Sequence, residues 1–214
     1  MQGYRTTDRP TGRGRAGGRG RAAHPGRPVG DARLAYSAVT SGDFDALFDR
    51  FHTSTVRLEA RPAYTVGGAE ADRIRAWKAG RPRPERTVRT SPWLARIAVS
   101  TVIGGKSWRR VRVLDDPLTE YQRYQLDSYV ASQATGEQIR VARRAAVGDV
   151  DPDVWVFDSD TPDAFAAVMS YDADGRWLGF DVVDDPDEVA AHAARVSAVE
   201  QHTVPLNEFL AGRG

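Results

Sequence analysis

Phe44, Leu47, Phe48 and Phe51 recur at spacings of three and four, the period of a single helix face. Ser41 ahead of them is a suitable N-cap and Asp43 puts a carboxylate in the first turn, so a helix is expected from Ser41 onward. The next run, Val56-Arg57-Leu58-Glu59-Ala60, alternates strictly. As a strand it turns Val56, Leu58 and Ala60 to one side and Arg57 and Glu59 to the other. Residues 70–79 read as a short helix carrying Ile74 and Trp77 and closed by Gly80. Residues 81–92 read as a Pro/Arg loop. Residues 94–103 and 107–114 read as a hairpin around Gly104-Gly105, with Arg110 and Arg112 on one face of the second strand and Val111 and Val113 on the other.

Asp116-Pro117 has the form of an N-cap followed by proline at the first helical position. The helix it opens is expected to reach about Gln133. Its buried arc comprises Leu118, Tyr121, Leu126, Tyr129 and Val130, with Tyr124 off the arc and Gly136 beyond the end. Residues 137–143 and 153–158 read as strands, and 166–171 and 176–183 as a hairpin across Asp172-Ala173-Asp174-Gly175. Asp185-Pro186-Asp187-Glu188 opens a helix to about Gln201 with Val189, Ala193 and Val196 in one stripe, and residues 205–210 add a final turn. Hairpin patterns outnumber strand–helix–strand patterns. The expectation is an α+β fold, a single domain over residues 39–214 with a twisted, mainly antiparallel sheet and helices mostly on one face.

Composition changes this picture mainly at the amino end. Residues 1–38 hold no apolar period, and Gly12–Arg21 is an Arg/Gly tract, so this stretch is expected to be a disordered basic tail. Such a tract can contact RNA through phosphates and stacking, can be a solvated tail, or can lie upstream of the true start; these readings stay open. Net charge is +1, from 30 basic and 29 acidic residues, but the balance is uneven. Residues 1–30 contain seven Arg and one Asp, residues 81–112 are Arg-rich, and residues 149–188 are dominated by Asp. Opposed patches of this kind suit polyanions on one side and basic partners on the other, or each other. Lys78 and Lys106 are the only lysines, and an Arg and Ala bias of this kind reflects a GC-rich genome, which weakens any functional reading of arginine abundance.

The chain has no Cys, which excludes disulfides, thiolate nucleophiles and Cys-based zinc sites. No apolar run approaches the ~18 residues of a membrane span, and the basic start is followed by no apolar core of a signal peptide, so a cytoplasmic location and no membrane partner are expected. Val154-Trp155-Val156-Phe157-Asp158-Ser159-Asp160-Thr161 looks like the nucleophile loop of haloacid-dehalogenase-type phosphatases. That family opens with the motif and needs a downstream Lys, and no Lys follows Thr161. Asp149, Asp151 and Asp153 begin like a calcium loop, but Val154 and Asp160 stand where Gly and Glu are required. Gly105-Lys106-Ser107 ends like a phosphate-binding loop, with Ser100 in place of the required Gly. His24, His52, His192 and His202 form no zinc pattern. No metal site and no cofactor are expected. What remains is a polar set on the predicted strands and one helix: Arg57, Glu59, Arg110, Arg112, Tyr121, Arg123, Glu137 and Asp158. Arg grips carboxylate or phosphate with two parallel donors, and nearby carboxylates serve either as acid/base groups or as counter-ions in a cross-strand ion-pair network.

The order of these features resembles an uncharacterised actinobacterial family of domains of unknown function (number six-eight-seven-nine). The residues that carry the likeness are Phe44-x-x-Leu47-Phe48, Val56-Arg57-Leu58-Glu59, Tyr64, Trp93, Arg110-Val-Arg-Val113, Pro117-Leu118-x-x-Tyr121-x-Arg123-Tyr124, Gly136-Glu137-x-Ile139-Arg140 and Asp153-x-Trp155-x-Phe157-Asp158. It runs from about Ser41 to Leu210. The resemblance implies Arg57, Glu59, Tyr64, Arg112, Tyr121, Arg123, Glu137 and Asp158 as a candidate polar pocket, with no established activity or cofactor. Similar sequences usually carry Glu after the paired Tyr, where this chain has Gln125. Members are often encoded beside helix-turn-helix regulators, which implies an accessory role. The first expectation is therefore a binding module whose partner is such a regulator or a small ligand. The alternative is an effector acting on nucleic acid, such as a metal-independent ribonuclease. There Arg57, Arg112 and Arg123 hold phosphate and Glu59 or Glu137 moves protons.

Overall fold

The computed structural model describes residues 41–213, so the expected basic tail at 1–38 lies outside the described residues. In chain order the elements are α1 (Ser41–Arg50), β1 (Ser54–Glu59), α2 (Gly68–Lys78), α3 (Pro92–Val102), β2 (Ser107–Leu114), α4 (Glu120–Gln133), β3 (Glu137–Arg143), α5 (Arg144–Val147), β4 (Val154–Phe157), β5 (Phe165–Tyr171), β6 (Trp177–Val183), α6 (Pro186–Glu200), β7 (Thr203–Pro205) and α7 (Leu206–Ala211). The seven strands form one mixed sheet in the order β6-β5-β4-β1-β2-β3-β7. Four neighbouring pairs are antiparallel, so the fold is α+β with a mainly antiparallel sheet. Its centre is not: β1, β2 and β3 run parallel.

That parallel centre follows from the largest departure from the sequence reading. Residues 94–103 form helix α3 and not the first arm of a hairpin. The β-branched run Ile97, Val99, Thr101, Val102 and Ile103 imitates a strand, but the local start signal is helical. The Ser91 side chain accepts from Leu94 N at 3.4 Å, Pro92 takes the first turn, and Leu94 and Ile97 are buried at helical spacing, while Val102 and Ile103 are 81% exposed. Tertiary packing overrides β-propensity here. With α2 and α3 between them, β1 and β2 are joined by a crossover and pair in parallel.

Helix α4 begins later than expected. Thr119, not Asp116, is the N-cap: its hydroxyl accepts from Gln122 N at 3.1 Å and the Gln122 side chain returns a bond from Thr119 N at 3.1 Å. The buried arc is shifted to match. Tyr124 is buried against Trp77 of α2, with ring centroids 6.1 Å apart, and Val130 is 52% exposed.

The alternation in β1 and β2 places their apolar residues as expected. Val56, Leu58, Val111 and Val113 pack with Val154 and Val156 under Val189, Val196 and Val199 of α6. On the opposite face, Leu47, Phe48 and Phe51 of α1 and Ile97 of α3 pack on Trp108, Trp155 and Phe157. Beside them Leu126 and Tyr129 of α4 and Leu206 of α7 cover Leu114, Ile139 and Val141. Most helices thus share one face, and the polar side chains of β1 and β2 point into that layer instead of into solvent. No helix among the described residues is long and apolar enough to cross a membrane.

The capping box makes a simple test. Thr119→Ala removes an acceptor for one of the orphan amides of α4 and should cost about 1 kcal/mol in urea denaturation. Ser197→Ala, on an exposed part of α6, should change stability by less than about 0.5 kcal/mol.

Candidate functional site

Sheet register brings the charges together. Arg57 of β1 lies opposite Arg110 of β2 and Trp155 of β4, and Glu59 lies opposite Arg112. All five side chains face the helical layer, because residues two apart on a strand share a face. Arg110 donates from Nη1 to Glu59 Oε2 at 2.7 Å and from Nε to Glu137 Oε1 at 2.8 Å. Arg57 Nε stands 3.0 Å from Glu59 Oε1, off the line of a good hydrogen bond, and its Nη2 donates to the Tyr171 hydroxyl at 3.2 Å. The Tyr129 hydroxyl donates to Glu59 and the Tyr64 hydroxyl to Asp153. Asp153 also accepts from Ala60 N at 2.8 Å, so the third Asp of the calcium-like run is turned inward to close β1 and to face Arg57, 3.7 Å away.

Arg112 is completely buried. Its donors go to the carbonyls of Glu59 (3.1 Å), Val113 (2.9 Å) and Arg61 (2.7 Å) and to Gln125 Oε1 (2.7 Å). Gln125 thus occupies the place where a carboxylate would give Arg112 its own counter-ion. The arginines also lie over rings: Arg57 and Arg110 are 5.3 and 5.7 Å from the Trp155 centroid, and Arg112 is 5.6 Å from that of Tyr64.

Burial alone would raise the Glu59 carboxyl, but Arg110, Arg57 and Arg112 overcome it and hold the group well below the usual carboxylate range. For Asp153 burial prevails, and its carboxyl is raised despite Arg57 and the bond from Tyr64. Burial keeps Tyr64, Tyr121 and Tyr129 protonated well past their ordinary range, so they act as neutral donors.

Above this network is a cavity of about 460 Å³. Its floor is Arg57, Glu59, Arg110 and Trp155. Its walls come from α2 (Glu70, Arg73), α4 (Tyr121, Tyr124, Ser128, Tyr129) and the sheet edge (Tyr171, Trp177), with Arg86 reaching in from the loop before α3.

Of the residues singled out from sequence, Arg57, Glu59, Tyr64 and Tyr121 line the cavity. Arg112 and Glu137 stand behind its floor and touch Glu59 and Arg110. Arg123 and Asp158 stand apart. Arg123 is exposed on the outer side of α4 and donates to Leu118 O at 2.7 Å. Asp158 is buried at the start of β1, where it accepts from His52 N (2.6 Å), Thr53 N (2.7 Å), Thr53 Oγ1 (2.8 Å) and Ser54 N (2.9 Å). Burial works against its charge, but these donors win and hold its carboxyl below the ordinary value. Asp158 is a backbone cap. Arg110, which the sequence places with Arg112 on one strand face, also lines the cavity; Tyr129 reads as core in the sequence, and nothing in the local pattern points to Arg73 or Arg86.

These features define an α+β domain with a mixed sheet and a buried Arg–carboxylate floor beneath an aromatic cavity. The model of the family described as Domain of unknown function (DUF6879) matches residues 42–211, and the chain belongs to that family. No curated protein matches the chain.

Removing the charge of Glu59 should expose how much the network depends on it. Glu59→Gln leaves Arg57 and Arg110 without their shared counter-ion and should cost about 3–5 kcal/mol in denaturant unfolding. The folded-state carboxyl is depressed, so its contribution is present above the unfolded value of about 4.3 and is lost as pH falls below it. Wild-type stability should therefore drop toward acid more steeply than that of Glu59→Gln.

Proposed function

We propose that this domain is a small-molecule-binding module rather than a nucleic-acid-cleaving enzyme. The observation that carries the reading is the cavity itself, with a rigid charge-lined floor set on adjacent strands. Its size falls within the range of about 300–1,000 Å³ typical of small-ligand sites, and its mix of aromatic walls with a few converging polar groups is the usual chemistry of such sites. The floor is preorganised: Glu59 and Arg110 are buried and already bonded to each other, so little ordering is left for ligand binding to drive.

A ribonuclease reading draws less support from the same groups. Glu59 is held ionised between two arginines and is a weak proton acceptor. Each guanidinium nitrogen of Arg112 already donates inside the protein, and the side chain is completely buried. In the accessory role we propose, occupancy of the cavity is read by a partner, for which a helix-turn-helix regulator of the kind encoded beside similar members is the candidate.

Thermal unfolding of the full chain against a library of neutral, cationic and anionic compounds tests the module. A ligand present at a hundred times its Kd adds about 2.7 kcal/mol and raises Tm by several degrees. Ser128→Trp, which fills the cavity from α4, should abolish those shifts. A library that leaves Tm unchanged, or shifts that persist in Ser128→Trp, would refute the reading; cleavage of an RNA ladder by the pure protein would favour the alternative.

A further inference from the structure

The unsatisfied polar atoms of the cavity all have one sign of hydrogen-bonding need. Four of its lining residues carry a buried side-chain nitrogen with no hydrogen-bond partner among the described residues: Trp155 Nε1, Trp177 Nε1, Arg73 Nε and Arg57 Nε, the last already ion-paired with Glu59 at 3.0 Å. Every one is an N–H donor. No orphaned acceptor lines the cavity among the described residues; Glu137 Oε2, the one buried carboxylate oxygen in that state, lies behind Arg110. A buried donor left unmade costs about 1–3 kcal/mol, so a cavity with several of them is complementary to an acceptor-rich guest.

The charges point the same way. Arg57, Arg110 and Arg112 are balanced by Glu59, Glu137 and Asp153 within the floor. Arg73 and Arg86 stand outside that balance. Neither forms an ion pair among the described residues, and Arg86 donates only to neutral atoms, Ser128 O at 3.0 Å and Ser132 Oγ at 3.1 Å. Burial and then the neighbouring charge of Arg73 press on the Arg86 guanidinium. The carboxylates on this side offset the pair only in part: Asp45 is exposed, and Glu70, which accepts from the Tyr121 hydroxyl at 3.2 Å, and Glu137 act on Arg86 less strongly than burial and the charges of Arg73 and Arg110. Two cations held together at a partly desolvated wall are relieved by an anion, and guanidinium suits a carboxylate or phosphate.

The remaining wall is aromatic. Three Trp, five Tyr and one Phe are among the 24 lining residues. Flat faces of this kind hold a flat ring by stacking and edge contacts.

We propose, resting on the small-molecule reading above, that the ligand is an anion carrying a planar ring. Its carboxylate or phosphate sits at Arg73 and Arg86, and its ring sits among the tryptophans and tyrosines with acceptor atoms toward Trp155 Nε1 and Trp177 Nε1. A mononucleotide and an aromatic acid share this chemistry.

Matched pairs of probes test it: AMP against adenosine, and para-hydroxybenzoate against para-hydroxybenzyl alcohol. Binding is followed by calorimetry and by quenching of tryptophan fluorescence, using the full chain. The anionic member of at least one pair should bind about tenfold or more tightly than its neutral twin. Which pair responds separates nucleotide from aromatic acid. Arg86→Gln and Arg73→Gln should each remove most of that preference, Arg86→Lys should retain part of it, and the exposed control Arg89→Gln should retain all of it. Tm of each variant, read alongside, reports folding. Neutral twins that bind as well as the anions overturn the inference, as do Gln variants that are folded and keep the preference. In either case the module reading stands if library compounds still bind in a manner blocked by Ser128→Trp. If no compound of any charge binds, the module reading falls and the inference falls with it.

Discussion

The carboxylate of Glu59 is the interaction on which the rest of the site depends. It neutralises Arg57 on its own strand and Arg110 on the next, and it accepts the hydroxyl of Tyr129 from the covering helix. Its backbone carbonyl accepts from Arg112 at 3.1 Å. One residue thus ties β1, β2 and α4 together below the cavity. Ion pairs this deep repay their desolvation only when the remaining donors and acceptors are also satisfied. Most are: Arg110 has Glu137 as a second acceptor, and Arg112 has three carbonyls and an amide oxygen. The exceptions are Arg57 Nε and Trp155 Nε1, where the network meets the cavity, and Glu137 Oε2 behind Arg110.

How far the sequence discloses this depends on the range of the signal. Strand alternation is local, and it places Arg57, Glu59, Arg110 and Arg112 on the correct faces of their strands. What that pattern cannot say is whether the polar face meets water or helices. Here the answer was set by residues 92–102. A hairpin there would have left β2 with a solvated side, whereas α3 creates the crossover that makes β1 and β2 parallel neighbours. The misleading feature is a β-branched run whose far end is in fact exposed, at Val102 and Ile103. Propensity summed over the run favours a strand; the Ser91 cap and the burial of Leu94 and Ile97 decide for a helix. Similarly, Asp116-Pro117 is a good start signal, but the box formed by Thr119 and Gln122 is reciprocal and prevails.

The site divides along the same line. Tyr64 and Tyr121 line the cavity, and their rings meet each other 5.6 Å apart. Arg123, two residues beyond Tyr121, is turned outward because helical neighbours two apart point about 200° from each other by the ~100° step. Asp158 follows a buried strand as a nucleophile would, but its oxygens are consumed by three backbone amides and a hydroxyl. Arg73 and Arg86 were hidden for a different reason. One sits on a short helix and the other in a Pro/Arg loop, and only the packing of α2 and that loop over α4 brings them to one wall.

Gln125 shows how these layers bear on function. A carboxylate at that position would pair with Arg112 and pull the floor toward net negative charge. The neutral amide still accepts from Arg112 at 2.7 Å but contributes no charge. The floor therefore stays balanced, and the two cavity-lining guanidinium groups that form no ion pair among the described residues, Arg73 and Arg86, both lie in the wall. In the proposed mode the anionic end of the ligand lies at that wall and its ring in the aromatic chamber. A ligand with its charge at one end and its ring at the other fits in one orientation, whereas a symmetric or neutral one has no preferred way to enter. Specificity of this kind comes from where the charge has been left unpaired, and it requires no movement of the strands that carry the network.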